Sequence, residues 1–277
     1  GRLSTIMLSC LQTVPDLATQ SFGFIYHLLP HCSNPSVSHF FESIISDNER
    51  YLCAHKWLID FGFVEYLFRE FQKIDFEYVS TESNPYFDTI YEQVFSLYQI
   101  LSKCATNPII FPHIINQDLK GFRLIDFLAM DFRNTPVYVE NARWKSILAL
   151  TTPQTAEMMS ALIPNAIKFI QKDVAKLPAS IVIALDFINK MMTFYPKTVK
   201  YVSSTQLNQS LLTLITQFMN SSILLNSFKN FVEVSLKLSE PFAANLVSLF
   251  LPFLLDYASS RENRVVAPFC VSIIDLI

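Results

Sequence analysis

Glycine is nearly missing from this chain: the 277 residues contain 4, and Gly1, Gly23, Gly62 and Gly121 each stand alone. Sandwiches, barrels and dinucleotide-binding folds need glycine for tight turns, bulges and phosphate loops, so the shortage argues against all three. Charge is also sparse, at 16%, with 21 basic and 24 acidic residues and no long run of either sign. A net charge of −3 without a basic patch leaves no electrostatic footprint for nucleic acid. The five cysteines (Cys10, Cys32, Cys53, Cys104, Cys270) are odd in number and widely scattered. They read as reduced, buried small hydrophobes in a cytosolic or nuclear compartment rather than as a disulfide framework.

Two further signals are missing. The most apolar stretch, 246–255, is interrupted by Ser248 and Pro252 and closed by Asp256, which falls short of the roughly 18–20 apolar residues of a membrane span. It reads as a core helix. The first residues show no basic-then-apolar leader, and the chain stops inside the apolar run 271–277, so the expectation is a fragment of a longer protein.

What is present is apolar: 51% of residues are hydrophobic and 25 are Phe. These recur at the helical period, as in Phe61, Val64, Leu67, Phe68, Phe71 and again in Ile90, Val94, Leu97, Tyr98, Leu101. Asn34-Pro35, Asn84-Pro85, Asn107-Pro108 and Glu240-Pro241 each place Pro where a first helical residue sits, three of them behind an Asn cap. The pattern predicts helices over 3–12, 16–29, 34–46, 48–60, 63–73, 86–105, 108–116, 119–132, 137–151, 155–171, 178–195, 205–219, 222–238, 241–257 and 262–277. The only longer polar gap is 75–84, so one continuous domain over 1–277 is expected. The fold class that accommodates so many short-linked helices is all-α, a HEAT- or armadillo-like solenoid of about seven stacked pairs, although no consensus repeats at a period of about 40.

Residues with chemical potential are scattered. His27, His31, Cys32, His39, Cys53 and His55 are the one cluster of possible zinc ligands, yet Pro30 separates the first two. No Cys-x-x-Cys or His-Glu-x-x-His completes a four-ligand set. Cys53 and His55, two apart on a helix, point away from each other and do not make a nucleophile–base pair. Asp126 with Asp131 and Glu65 with Glu70 have a spacing that keeps two acids apart and read as solvated faces. His31, His39, His55 and Asp60 would form an enzyme site only if a polar pocket gathered them. Phe40-Phe41, Met158-Met159 and Met191-Met192 read as core, with any exposed members as groove anchors for a partner helix. No catalytic, cofactor-binding or metal-binding residue is assigned, and no cofactor is expected.

Residues 28–45, Leu-Leu-Pro-His-Cys-Ser-Asn-Pro-Ser-Val-Ser-His-Phe-Phe-Glu-Ser-Ile-Ile, resemble a segment of the SAPS-domain family, the regulatory subunits of protein phosphatase six. His31 coincides with the family's histidine, and Asn34, Val37, Phe40, Phe41, Ile44 and Ile45 keep its polar or apolar character. Trp57-Leu58, Phe63-Val64 and Leu67-Phe68 are similar to its Trp-Leu, Leu-Ile, Leu-Ile series. Residues 94–101 and 144–150 fall where it has two further helices, so order is kept over 20–150. His39, Ser43 and Ser146 depart from its Asp, Arg and Gly. The resemblance implies a non-catalytic scaffold that binds a type-2A-like Ser/Thr phosphatase catalytic subunit and directs it to substrates, in the cytoplasm or nucleus, with contact positions unassigned. The alternative is an unrelated helical-repeat adaptor for transport or cytoskeletal assembly.

Overall fold

The computed structural model describes residues 1–46, 49–74, 87–130, 135–203, 206–238, 240–259 and 266–277. Over these the protein is mostly helical, with helices packed in sequential pairs. Its contacts divide it into two compact units, Gly1–Leu150 and Thr151–Ile277.

In the first unit α1 (Arg2–Thr13) and α2 (Pro15–Ser21) lead into a 3-10 helix (Ile25–His31) and α3 (Pro35–Ser46). The expected 16–29 helix is thus two pieces, because the chain turns at residues 22–24 and Pro30 removes a backbone donor. Asn34 caps α3 as expected: its Oδ1 accepts from Ser36 N at 2.9 Å ahead of Pro35 at the first helical position. α4 (Leu52–Asp60) and α5 (Phe63–Lys73) follow, joined through Gly62. At φ +79° that residue sits in the left-handed region that glycine adopts freely. α6 (Phe87–Cys104), α7 (Phe111–Asn116), α8 (Leu124–Leu128) and α9 (Val137–Leu150) complete the unit.

One segment departs from helix at its start. The expected 119–132 helix opens instead as a two-stranded antiparallel hairpin, β1 (Asp118–Leu119) and β2 (Phe122–Arg123), before α8. Lys120 and Gly121 both have positive φ, the mark of a two-residue hairpin turn, and Asp118 Oδ1 accepts from Gly121 N at 2.6 Å. The Asn84-Pro85 start and the 75–84 gap lie outside the described residues.

The phenylalanines account for much of this core. Phe41 stacks on Phe63, Phe68 lies beside Phe71, and Phe71 stacks on Phe127 at 3.9 Å with Tyr98 at 4.9 Å from the same ring. Four helices, α3, α5, α6 and α8, are thereby joined by aromatic contacts, each adding about 0.5–1.5 kcal/mol beyond area burial.

α3, α6 and α9 lie side by side and run parallel. Cys32 Sγ reaches Gln93 O (3.8 Å) at the start of the first pair, and Asn107 Nδ2 donates to Ile45 O (2.7 Å) at its end. Phe95 meets Tyr138, and Ser146 Oγ donates to Tyr98 O, along the second pair. The three helices begin at Pro35, Phe87 and Val137, about fifty residues apart.

The second unit comprises α10 (Ala156–Met159), a 3-10 turn (Ser160–Leu162), α11 (Ile163–Ile170), α12 (Ala179–Phe194), α13 (Thr198–Ser203), α14 (Leu207–Gln217), α15 (Ser222–Leu236), α16 (Glu240–Ser259) and α17 (Ala267–Ile274). α12 and α15 pack along their lengths. Their seam is polar as well as apolar: Ser227 Oγ donates to Asp186 and Asn189 Nδ2 donates to Ser227 O at 2.9 Å. Burial raises the Asp186 carboxyl above its ordinary value, an effect the Ser227 hydroxyl partly opposes.

α16 is longer than its apolar run. It buries Phe242, Leu246, Phe250 and Leu254, one per turn, with Phe250 against Phe228 at 4.7 Å. Its stretch Pro241–Ser259 is long and apolar enough to cross a membrane by length and composition. Ser248, Pro252 and Asp256 interrupt the apolar run in the sequence but not the helix, where all three are exposed, away from the buried ridge.

Candidate docking surfaces

The residues singled out for metal or acid–base chemistry sit in unlike surroundings. His27 and His31 are exposed, His27 lying against Tyr26 at 4.0 Å. His55 is fully buried on α4 with Nε2 donating to Ile44 O at 2.6 Å, which fixes the proton on that nitrogen. Asp60 is exposed at the end of the same helix, and His39 is exposed on α3. Among the described residues no three His, Cys, Asp or Glu side chains come together in a way that would hold a metal ion.

The acid pairs are likewise local. Asp126 accepts from Arg123 N at 2.8 Å, while Asp131 lies outside the described residues. Glu65 pairs with Arg69 on the surface, as expected of a solvated face. Glu70 corrects that expectation: it is buried, its carboxylate taken by Lys73, because α5 turns this position toward the 3-10 helix and Cys32 at its end. Phe40, Phe41, Met159, Met191 and Met192 are buried, and Met158 is half-buried, so these pairs serve the core.

The cysteines divide by burial. Cys32, Cys104 and Cys270 are buried, but Cys10 is half-exposed and Cys53 is exposed. Desolvation pushes the Cys32 thiol up to about 12, with the Glu70 carboxylate adding to it, and raises Cys104 and Cys270 as well. Thiolate is the reactive form. A thiol reagent at mildly alkaline pH is therefore expected to titrate Cys10 and Cys53 quickly in the native protein and all five only in urea. Rapid native labelling of Cys104, read by mass spectrometry, would contradict this.

Two surfaces of the first unit carry exposed groups in patterns that burial does not explain. One is an aromatic cluster formed by the 3-10 helix, the α4–α5 turn and α5. Tyr26 stacks on Tyr66 (4.4 Å) and Phe61 (6.0 Å), Trp57 lies 5.9 Å from Phe61, and the Arg69 guanidinium sits 5.2 Å over Tyr66. All five are half-buried or exposed, Phe61 at 37%. The sequence places Phe61 on the buried stripe with Val64 and Leu67. It instead occupies the turn, where Gly23 leaves room for its ring: a Cβ there would meet Phe61 at 3.3 Å.

The second is a groove along α6, walled by α3 and α9. Two adjoining recesses of about 620 and 410 Å³ share Glu42, Phe95, Gln99 and Tyr138. Glu92 and His39 line the first, Lys103 and Lys145 the second, and Glu42 stands in both, so the carboxylate Glu92 lies toward the α6 start and the two lysines toward its end. Phe95 and Tyr138 meet edge-on at 5.3 Å in the stretch common to both. Asn141 Oδ1 is buried there without a hydrogen-bond partner among the described residues. In the second unit a recess of about 420 Å³ mixes Ser203, Gln206, Asn208, Gln209 and Asn245 with apolar Val199, Phe242 and Leu249, and no charged side chain lines it among the described residues.

Neither surface has a local sequence signature. The cluster draws on positions 26, 57, 61, 66 and 69, and the groove on three helices about fifty residues apart. Compared with protein-family models, curated proteins and solved structures, the chain matches none.

Proposed function

We propose that this chain is a non-catalytic, HEAT- or armadillo-like helical scaffold whose partner is a type-2A-like Ser/Thr phosphatase catalytic subunit, which it steers toward substrates. The observation that carries the reading is the aromatic cluster. Trp, Tyr and Arg are the residues that dominate binding energy at protein interfaces, and Tyr26, Trp57, Tyr66 and Arg69 are gathered here on one exposed patch. Rigid rings lose little entropy on contact, and a cluster this size suits the centre of an interface of ordinary extent, about 1,600 Å² in total. The similarity of residues 28–45 and 57–68 to the SAPS-domain family supports the identity of the partner, and Trp57 belongs both to that similarity and to the patch.

Affinity purification tests it. The wild-type chain is expected to retain a phosphatase catalytic subunit, and Trp57→Ala with Tyr66→Ala to lose at least tenfold of it, corresponding to about 1.4 kcal/mol or more. Retention by the double variant at wild-type level would remove the patch from the interface. A reproducible absence of any phosphatase from the wild-type eluate would overturn the partner.

A further inference from the structure

We propose that the groove along α6 takes an extended peptide segment of another protein. Its cationic side chain meets Glu92 at the α6 start, its apolar side chain covers Phe95 and Tyr138, and its anionic side chain meets Lys103 and Lys145 at the other end. The groove uses residues distinct from the aromatic cluster, so the inference does not depend on the partner being a phosphatase.

The charges point to a dipolar ligand. Glu92, Lys103 and Lys145 are exposed, and among the described residues none of them is in an ion pair. A nucleic acid strand would be repelled at the acidic end, and a uniformly acidic or basic tail would be repelled at one end or the other. Glu92 and Lys103 stand on one helix at positions that place them roughly 16 Å apart at 1.5 Å per residue. An extended chain advances about 3.3 Å per residue, so the two charged side chains of the ligand stand about five residues apart.

The polar lining points to an exposed backbone. Asn141 Oδ1 is buried without a donor, an arrangement that costs about as much as a lost hydrogen bond until one is supplied. Gln99 offers a second, half-buried amide in the stretch shared by the recesses. A docked helix has its own N–H and C=O groups already paired, whereas an extended segment presents them along its length. The edge-on ring pair between the two charged ends then receives whatever apolar side chain the segment carries at its middle.

The test uses the whole chain and four fluorescein-labelled peptides with a central Leu. One carries Lys and Glu about five residues apart, and the others replace these by two Glu, two Lys or two Gln. Fluorescence anisotropy at low salt is expected to show the dipolar peptide bound about tenfold tighter than the Gln peptide. The double variant Lys103→Glu with Lys145→Glu should weaken it about tenfold and strengthen the two-Lys peptide by a similar factor. A gain of that kind cannot come from misfolding. Equal binding of all four peptides, no binding of any, or an unchanged ranking in the variant would overturn the inference. A co-purifying phosphatase alongside that failure would leave the partner reading standing, and ranked peptide binding without a phosphatase would do the reverse.

Discussion

Replacing Arg143 with alanine is expected to remove about 3–5 kcal/mol from the stability of the unit formed by Gly1–Leu150. The side chain is 3% exposed and lies on α9. Its Nε and one terminal nitrogen donate to Leu128 O at 3.0 and 2.9 Å, so the fork closes the end of α8 with a cation, where the helix carries its negative pole. The other terminal nitrogen is 3.7 Å from the buried carboxylate of Glu140, and the guanidinium lies 5.7 Å over the ring of Trp144. Alanine removes the cation from a buried carboxylate and two donors from a buried carbonyl at once. Lysine restores charge but not the planar fork, and should recover only part of the loss. Removing both charges, as Arg143→Met with Glu140→Leu, should recover most of it, because the desolvation of two ions disappears together with their attraction. Urea unfolding followed by tryptophan emission reads this unit directly, since both tryptophans, Trp57 and Trp144, belong to it. A loss under about 1 kcal/mol for Arg143→Ala would show the pair to be solvated and the argument wrong.

That pair was not legible in the sequence, and the reason is physical. Residues 140 and 143 are three apart, a spacing that normally marks a solvated helix face. Only the packing of α6 and α8 onto α9 turns that face inward. Local signals were reliable where chemistry is local: Asn34-Pro35 started α3, and 63–73 bounds α5 as the apolar period required. They failed where one residue decides the backbone. Gly121, read as isolated, belongs to a Lys-Gly turn whose two positive φ angles convert a helical pattern into a hairpin.

The docking surfaces were illegible for a related reason. A period of 3.6 says which side chains share a face, but not which helices become neighbours. Glu42, Glu92 and Lys145 look alike in sequence, as ordinary charges on helices. Their meaning comes from α3, α6 and α9 running parallel at intervals of about fifty residues. The interval does not show as a repeat near 40, and among the described residues the segments between those helices differ: α4 and α5 in one, and α7, a hairpin and α8 in the other. Phe61 shows the converse, a hydrophobic residue in perfect helical register that the α4–α5 turn delivers to the surface.

Asn107→Ala is the second substitution expected to be severe, at about 3 kcal/mol. The sequence marks Asn107-Pro108 as a helix start, yet α7 begins only at Phe111. The side chain caps the intervening turn instead, its Oδ1 accepting from Ile109 N at 2.9 Å and Ile110 N at 3.1 Å. Its Nδ2 meanwhile donates to Ile45 O at 2.7 Å, and the residue is 1% exposed. One amide therefore satisfies two orphan donors after α6 and one orphan carbonyl near the end of α3. Alanine leaves the Ile110 N–H and the Ile45 carbonyl buried and unpaired and the Ile109 N–H half-buried, the buried ones each at a cost of about 1–3 kcal/mol, less whatever local relaxation recovers. Asn107→Asp separates the two roles. Its carboxylate still accepts from the turn but faces Ile45 O without a donor, so the variant should be at least as unstable as alanine at neutral pH. Burial holds the acid form of such a carboxyl preferred, which places its folded titration above the unfolded one; stability should then rise as pH falls through that folded value, opposite to a salt-bridged Asp. Urea midpoints across pH for wild type and both variants decide it, with the urea dependence unchanged if the fold is kept. An Asn107→Asp variant as stable as wild type at neutral pH would mean that the bond to Ile45 contributes little. The α3 wall of the groove would then be held against the end of α6 chiefly by apolar packing.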